Sequence, residues 1–390
     1  MKCTDAILLF GIRMCPLVSS VVQPVPLNQF QAGLSWSVWH ADVASCKSNK
    51  LSLVLLRLFL WLGSLLYALA MLLRNICFNI GLFKTKKVSV PVICIGNLTV
   101  GGTGKTPCVE WLCNYLRTLD LRIAILSRGY GGAGGANDEA MVLEDQLPEV
   151  PHLQSTNRYL IANSAIEELE SELLVLDDGF QHRQLFRDLD IVLIDATNPW
   201  GFGYLLPRGT LRESSSGLKR AGAVIITRTN QVEENALSLI RNKIKKLAPE
   251  IVLCETIHLP AELIRWGKEP LELTAIKGRK VFAFCGIGNP TSFLKTLADL
   301  GAQVVSSRFF PDHHSYSRQD INGLIESADL VADADALLVT THKDLVKIRA
   351  ASLGSIPLFA LRIEMQFLQG AENLKTLVQT KCFGSIQAGH

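Results

Sequence analysis

No Cys-x-x-Cys pair occurs anywhere in the 390 residues, and the ten cysteines stand singly, Cys108 and Cys113 being the nearest two. A disulfide framework and a thiolate metal site therefore lack support, and scattered thiols fit a reducing compartment. Internal repeats and low-complexity tracts are also missing, so no repeat architecture is indicated. Acids are scarce at the front: residues 1–90 hold nine Lys/Arg against only Asp5 and Asp42, a balance of +7. The whole chain carries +3, which leaves −4 for residues 91–390. That body lacks the basic excess of a nucleic-acid binder, and no nucleic acid is expected as a partner. With the front 90 residues or so set aside, enough chain remains for two domains and a sizeable core, although one domain stays open.

The front is instead rich in hydrophobic residues. Leu58 to Leu73 is a run of sixteen residues without charge between Arg57 and Arg74, and the apolar character resumes through Ile76 to Phe83. Sixteen helical residues reach about 24 Å against a hydrocarbon core of roughly 30 Å, so a tilted span with snorkelling arginines and a helix lying in the interface are both open. A buried helix of a soluble protein is the alternative. Lys84, Lys86 and Lys87 follow at once, and the positive-inside rule places them, with the body, on the cytoplasmic side. Residues 1–50 are an extension of unknown role. Ala6 to Val22 looks somewhat like a signal peptide, but Arg13 and Pro16 interrupt it.

Behind the hydrophobic run lies Gly101-Gly102-Thr103-Gly104-Lys105-Thr106-Pro107. Pro91 to Gly96 reads as a short buried strand, the glycines free backbone N–H groups to wrap a phosphate, and Pro107 onward starts a helix whose positive end faces the same anion. Lys105 would reach the β- and γ-phosphates of ATP, and Thr106 would offer its hydroxyl to Mg²⁺. The strict pattern is not met, since its first glycine falls at Thr99.

The body alternates in the α/β manner. Short apolar runs at 122–126, 173–176, 191–194 and 223–227 are the strands expected of a sheet covered on both faces, and a helix at about 233–246 follows. Residues 251–278 have β character. A second set, with strands at 281–287 and 336–340 and a helix at 292–300, predicts a smaller α/β domain. The fold class is thus a P-loop NTPase-type, mostly parallel sheet with a second α/β domain and an N-terminal membrane-associated helix. The boundaries are 1–50 extension, 51–83 membrane helix, 84–250 core, 251–274 β-type linker and 275–390 second domain, whose C-terminal end is allowed to pack on the core.

Several clusters carry chemistry. Asp177 and Asp178 end an apolar strand where a Walker B acid meets Mg²⁺. Gly179 to His182 can orient ligands, with His182 equally open to a packing role. Ser127-Arg-Gly-Tyr-Gly131 puts Arg128 and Tyr130 at the same sheet edge. Asp138 follows a Gly-rich stretch and is expected on a mobile loop, able to deliver a base to a hydroxyl. Leu206 to Glu213 adds Arg208, Arg212 and Glu213, giving cations for charge on a transferring phosphoryl group and a further acid for Mg²⁺. Pro311-Asp-His-His-Ser-Tyr316 suits a His–Asp pair that tunes a base better than a metal site. Thr340 to Asp344 either contacts nucleotide or caps a helix.

Taken together these residues resemble the lipid A tetraacyldisaccharide 4′-kinase family from about residue 55 to 350. The resemblance rests on Val92–Asn97 leading into Gly101–Pro107, Ser127–Gly131, Asp177–His182, Arg187-Asp188, Leu206–Glu213, Gly286–Pro290, Pro311–His313 and Lys343-Asp344. It implies transfer of the ATP γ-phosphoryl group to the 4′-hydroxyl of a lipid A disaccharide precursor, an acylated disaccharide 1-phosphate. By the same resemblance Lys105 holds phosphate, Thr106, Glu213 and Asp178 serve Mg²⁺, and Asp177 with Asp178 positions metal and nucleotide. Asp138 is the base, paired with His313, and Arg212 stabilises the transferring group. The chain departs from the family pattern at Asn137-Asp-Glu-Ala140, at a shortened stretch before Asp138, and at Thr210 in place of proline. His314 directly follows His313, and motif position alone selects between them. The rivals are a membrane ATPase switch of the partition or cell-division type and a non-catalytic scaffold. The switch carries a signature lysine where Val100 stands, and the intact Lys105, Thr106, Asp177, Asp178 and Glu213 weigh against the scaffold.

Overall fold

The computed structural model describes residues 51–129, 138–329 and 336–386. The extension at 1–50, Tyr130 and Asn137 lie outside the described residues. Helix α1 (Leu51–Asn79) comes first. Its apolar stretch Val54–Asn79 covers 26 residues, about 39 Å of helix, with only 6% of its most apolar window buried. It is thus long and apolar enough to cross a membrane, and its exposed Phe59, Leu66 and Leu69 do not behave as core of a soluble protein.

The body then runs β1 (Val92–Asn97), α2 (Lys105–Arg117), β2 (Ile123–Ser127), α3 (Asp138–Gln146), β3 (His152–Gln154), α4 (Arg158–Glu168), β4 (Leu173–Asp177), β5 (Leu189–Asp195), β6 (Ala223–Thr227) and α5 (Glu234–Leu247). It continues with β7 (Val252–Arg265), β8 (Lys268–Leu271), β9 (Lys280–Cys285), α6 (Pro290–Asp299), β10 (Gln303–Phe309), α7 (Arg318–Asp329) and β11 (Leu337–Thr341). The last elements are α8 (His342–Ile348), β12 (Ser352–Leu353), β13 (Ile356–Gln369) and α9 (Ala371–Ile386). Among the described residues the strands form one 13-stranded sheet, ordered β10-β9-β11-β13-β7-β6-β5-β1-β4-β2-β3, with β12 on β13 and β8 on β7. Pairing is parallel on both sides of a central antiparallel pair, β7 with β13. A mostly parallel α/β sheet is therefore the observed class, as the apolar runs predict.

Alternate residues of each strand feed opposite faces, the geometry of a period-two chain. Ile93, Ile95, Val175 and Ile191 pack with Val109, Leu112 and Leu116 of α2 and with Leu374 and Val378 of α9. Val92, Cys94, Leu176 and Val192 pack against Ala162 of α4 and Ile240 of α5 on the other face. The second half repeats this with Phe293 and Leu297 of α6 on one side and Leu324 of α7 on the other. Each such fully buried aliphatic contributes about 1.5–3 kcal/mol relative to exposure. Across the junction, Arg362 of β13 reaches Glu110 of α2 and Glu262 of β7, both at 2.6 Å.

Candidate active site

β1 ends against the glycine loop, and the loop is tied from three sides. Asn97 Nδ2 donates to Thr103 Oγ1 at 3.0 Å, Thr227 Oγ1 of β6 donates to the Thr103 carbonyl at 3.0 Å, and Arg228 donates to the Gly102 carbonyl at 2.8 Å. Val100 N–H donates to the Thr210 carbonyl at 2.7 Å, which joins the loop to the 206–213 segment. Gly101 has φ 120° and Gly104 φ 88°, conformations that other residues rarely take. No atom lies within 4 Å of where a Cβ would stand on Gly101 or Gly102. That leaves an open cradle of backbone at the N-terminus of α2, the form in which a helix end takes an anion.

The first charged layer sits at the ends of α2 and β4. Lys105, 7% exposed, points its Nζ to within 3.6 Å of Asp178, and Arg212 Nη1 donates to both Asp178 oxygens at 2.8 and 2.9 Å. Burial would raise the Asp178 carboxyl, but Lys105 and Arg212 override it and hold the group below the usual carboxylate range. Its neighbour behaves oppositely. Asp177 is 4% exposed, its Oδ1 has no hydrogen-bond partner, and burial pushes its carboxyl up to about 7, Lys105 only partly offsetting this while Glu139 and Asp178 add to the rise. Glu213, 2% exposed, accepts from Gln181 Nε2 at 2.9 Å and from Arg220 at 2.7 Å. The carboxylate oxygen left free thus belongs to Asp177, because Asp178 and Glu213 already hold cations or an amide.

Among the described residues no three His, Cys, Asp or Glu side chains gather into a metal-holding group. Mg²⁺ at a phosphoryl site takes one or two carboxylates and completes its shell with phosphate oxygens and water. The Thr106 hydroxyl, the orphaned Asp177 Oδ1 and the acids Asp178 and Glu213 are a donor set of the right hard-oxygen chemistry. Arg128 is exposed at the end of β2, and its charge, with those of Arg158, Arg187 and Arg74, reinforces the burial that drops His182 to about 4. His182 is therefore neutral near pH 7.

A second layer brings the base candidates together. Asp138 is the first residue of α3, in a helical turn and not on the loop that the glycines before it predict. Its Oδ2 lies 3.1 Å from His313 Nδ1 and 2.6 Å from Lys347 Nζ. Burial opposes ionisation of Asp138, but the hydrogen bonds from His313 and Lys347 win and hold it below its ordinary value. The Asp138 hydrogen bond raises His313 above its ordinary value, against burial. His314 turns elsewhere, to Asp320 at 3.1 Å and onto the Phe310 ring at 4.7 Å. Geometry thus selects His313 over His314 as the partner of Asp138. The His313 segment is held on both sides: Phe310 N–H donates to the Cys285 carbonyl at 2.9 Å, and Lys347 Nζ donates to the His314 carbonyl at 3.1 Å.

Helix α1 is part of the site's frame. Ser64 Oγ lies 2.9 Å from the Leu205 carbonyl and accepts the Arg208 N–H at 3.0 Å, and Tyr67 OH donates to the Arg212 carbonyl at 2.8 Å. Sequence reasoning missed Tyr67, Arg220 and Lys347. For Lys347 a signal existed, since it falls four residues after Lys343 and so shares its helix face.

The chain matches the family model described as tetraacyldisaccharide-1-P 4′-kinase over residues 56–382. It is 39% identical over 319 residues to a tetraacyldisaccharide 4′-kinase of Anaeromyxobacter sp. (strain Fw109-5), covering 77% of this chain and 85% of that one. It is also 39% identical over 342 residues to the enzyme of that name from Syntrophus aciditrophicus (strain SB), covering 79% and 89%. Among solved structures, LpxK from Aquifex aeolicus in complex with ATP superposes with a TM-score of 0.68 at 32% identity, covering 84% of this chain and 99% of that one. With the glycine cradle, the paired acids and the Asp138–His313 contact on one sheet edge, these matches establish that the chain belongs to the tetraacyldisaccharide-1-P 4′-kinase family.

Proposed function

We propose that the protein transfers the γ-phosphoryl group of ATP to the 4′-hydroxyl of an acylated disaccharide 1-phosphate at a bacterial inner membrane, with the catalytic body on the cytoplasmic face. The contact between Asp138 and His313 carries this reading, because it supplies a carboxylate–imidazole pair of the kind that takes the proton of an acceptor hydroxyl. In the proposed step the Asp138–His313 pair takes the proton of the 4′-hydroxyl as its oxygen bonds to the γ-phosphorus. The bond from that phosphorus to the β–γ bridging oxygen breaks, and ADP leaves with the electron pair. Lys105 and the backbone of Gly101 to Gly104 hold the phosphates, and Arg212, anchored on Asp178, meets the charge on the transferring group. Thr106, Asp178 and Glu213, joined by Asp177, are the residues to hold Mg²⁺, which when bound neutralises charge between the β- and γ-phosphates. Helix α1, followed by Lys84, Lys86 and Lys87, keeps the cleft at the surface where a lipid acceptor resides.

A core at 84–250, a β-type linker at 251–274 and a second domain at 275–390 belong to the same proposal. The central antiparallel β7–β13 pair supports a division there. A coupled ADP-release assay in mixed micelles tests the function: release that depends on the acylated disaccharide 1-phosphate is expected, and equal release without it would point to a switch.

A further inference from the structure

Lys347 lies on α8, in the second half of the sheet, yet its ammonium is directed at Asp138 of the first half. Its Nζ is 2.6 Å from Asp138 Oδ2, the oxygen that His313 also contacts. The remaining neighbours are the His314 carbonyl, which accepts from Nζ at 3.1 Å, and Asp344 Oδ1, an ion-pair contact at 3.8 Å. The Lys347 side chain is 9% exposed and Asp344 fully buried. Burying an ammonium carries a desolvation cost of several kcal/mol that only such pairing offsets, and an apolar side chain would fill the same space without it. Helices α3 and α8 lie alongside each other, with His342 on Asp145 at 2.8 Å, Lys343 on Glu139 at 3.5 Å and Lys347 on Asp138 at the catalytic end.

We propose that Lys347 is a positioning residue for phosphoryl transfer: it fixes the Asp138 carboxylate through Oδ2 and supplies the positive charge that keeps the Asp138–His313 pair deprotonated at working pH. This rests on the kinase reading above. The charged groups facing the pair are Asp312 beside His313, Glu139 of α3, Lys343 and Lys347 of α8, and Asp344 beneath Lys347. Removing one cation from this set makes protonation of either Asp138 or His313 easier. The acid limb of the kcat/KM profile then moves to higher pH whichever of the two receives the proton. A neighbouring opposite charge is worth about one to three pH units, and with Lys343 still in place a movement of about one unit is expected.

The test uses the full chain in mixed micelles with ATP and the acylated disaccharide 1-phosphate. Lys347→Met should lose about tenfold or more in kcat, keep its KM for ATP within about twofold, and show the raised acid limb. Lys347→Arg should restore the limb to its wild-type position. Lys347→Met placed on Asp138→Asn should cost little beyond Asp138→Asn alone, because the lysine acts through that carboxylate. A limb unmoved in Lys347→Met, or fully multiplicative losses in the double variant, would overturn the inference while wild-type transfer remained intact. If Lys347→Met does not fold, Lys347→Arg decides: an unmoved limb supports the role and a limb raised by a full unit refutes it. A wild-type protein that transfers nothing to the lipid would remove the kinase reading, and this inference with it.

Discussion

Asp177 should make the protein less stable so that the active site can work, and the size of that effect follows from its surroundings. Burial lifts its carboxyl from 3.8 to about 7, Lys105 only partly opposing, and its Oδ1 has no hydrogen-bond partner. Below pH 3.8 both the folded and unfolded chains hold the proton, and the group has no effect. Between 3.8 and about 7 the unfolded chain releases a proton that the native state keeps, so stability falls as pH rises; above about 7 the loss is complete. At about 1.36 kcal/mol per pH unit the full loss is on the order of 4 kcal/mol, and burial of the side chain leaves little solvent screening to reduce it. Asp177→Asn keeps the shape and removes the ionisation. Scanning fluorimetry in micelles, without nucleotide or divalent cation, should show the variant with the higher apparent Tm at pH 8. Its advantage should grow by about 3 kcal/mol from pH 5 to pH 8, roughly 4 °C for a chain of this size, while phosphoryl transfer falls. An advantage equal at the two pH values, or a variant less stable than wild type at pH 8, would refute the reasoning.

Three further outcomes are expected. Gly104→Ala places a Cβ 2.5 Å from the His258 ring at φ 88°; left-handed strain of about 1–2 kcal/mol plus the clash should raise the KM for ATP about tenfold, read by initial-rate kinetics. Asp138→Ala should lower transfer by about a hundredfold or more while ATP affinity, measured by titration calorimetry, stays within about twofold. A variant with full activity would remove Asp138 from the mechanism. Tyr67→Phe deletes the 2.8 Å hydrogen bond to the Arg212 carbonyl. A bond of about 1 kcal/mol predicts a roughly fivefold fall in kcat with vesicle binding unchanged, and an unaltered kcat would mean that α1 does not steer the 206–213 segment.

The central strands were legible because each is a short apolar run buried on both faces. Ala223–Thr227 lies where its run predicts, and β1, β2, β4 and β9 differ from theirs by one or two residues. Edge and mixed strands were not. β10 alternates half-buried and exposed positions over Gln303–Phe309 and carries Ser306, Ser307 and Arg308, so it offers no continuous apolar signal. β13 is fourteen residues long and pairs with β7 from Ala360 to Gln369, where Arg362 is held by a cross-strand ion pair to Glu262 that no local pattern reveals. Helix α3 was hidden because the glycines before Asp138 suggest a loop, whereas its Ala140, Val142 and Leu143 bury against neighbouring elements. At the site, the residues bound to phosphate chemistry were legible from local motif. Lys347 and Tyr67 act on residues 209 and 145 positions away, and only the fold brings them there.

The most direct measurement is transfer of label from γ-phosphate-labelled ATP to purified acylated disaccharide 1-phosphate, with the product's phosphate located by NMR. One labelled phosphate per acceptor on the 4′-oxygen, lost in Lys105→Ala, is the expected result. Hydrolysis of ATP with no labelled lipid, or transfer that survives Lys105→Ala undiminished, would contradict the assignment of this cleft as a lipid kinase site.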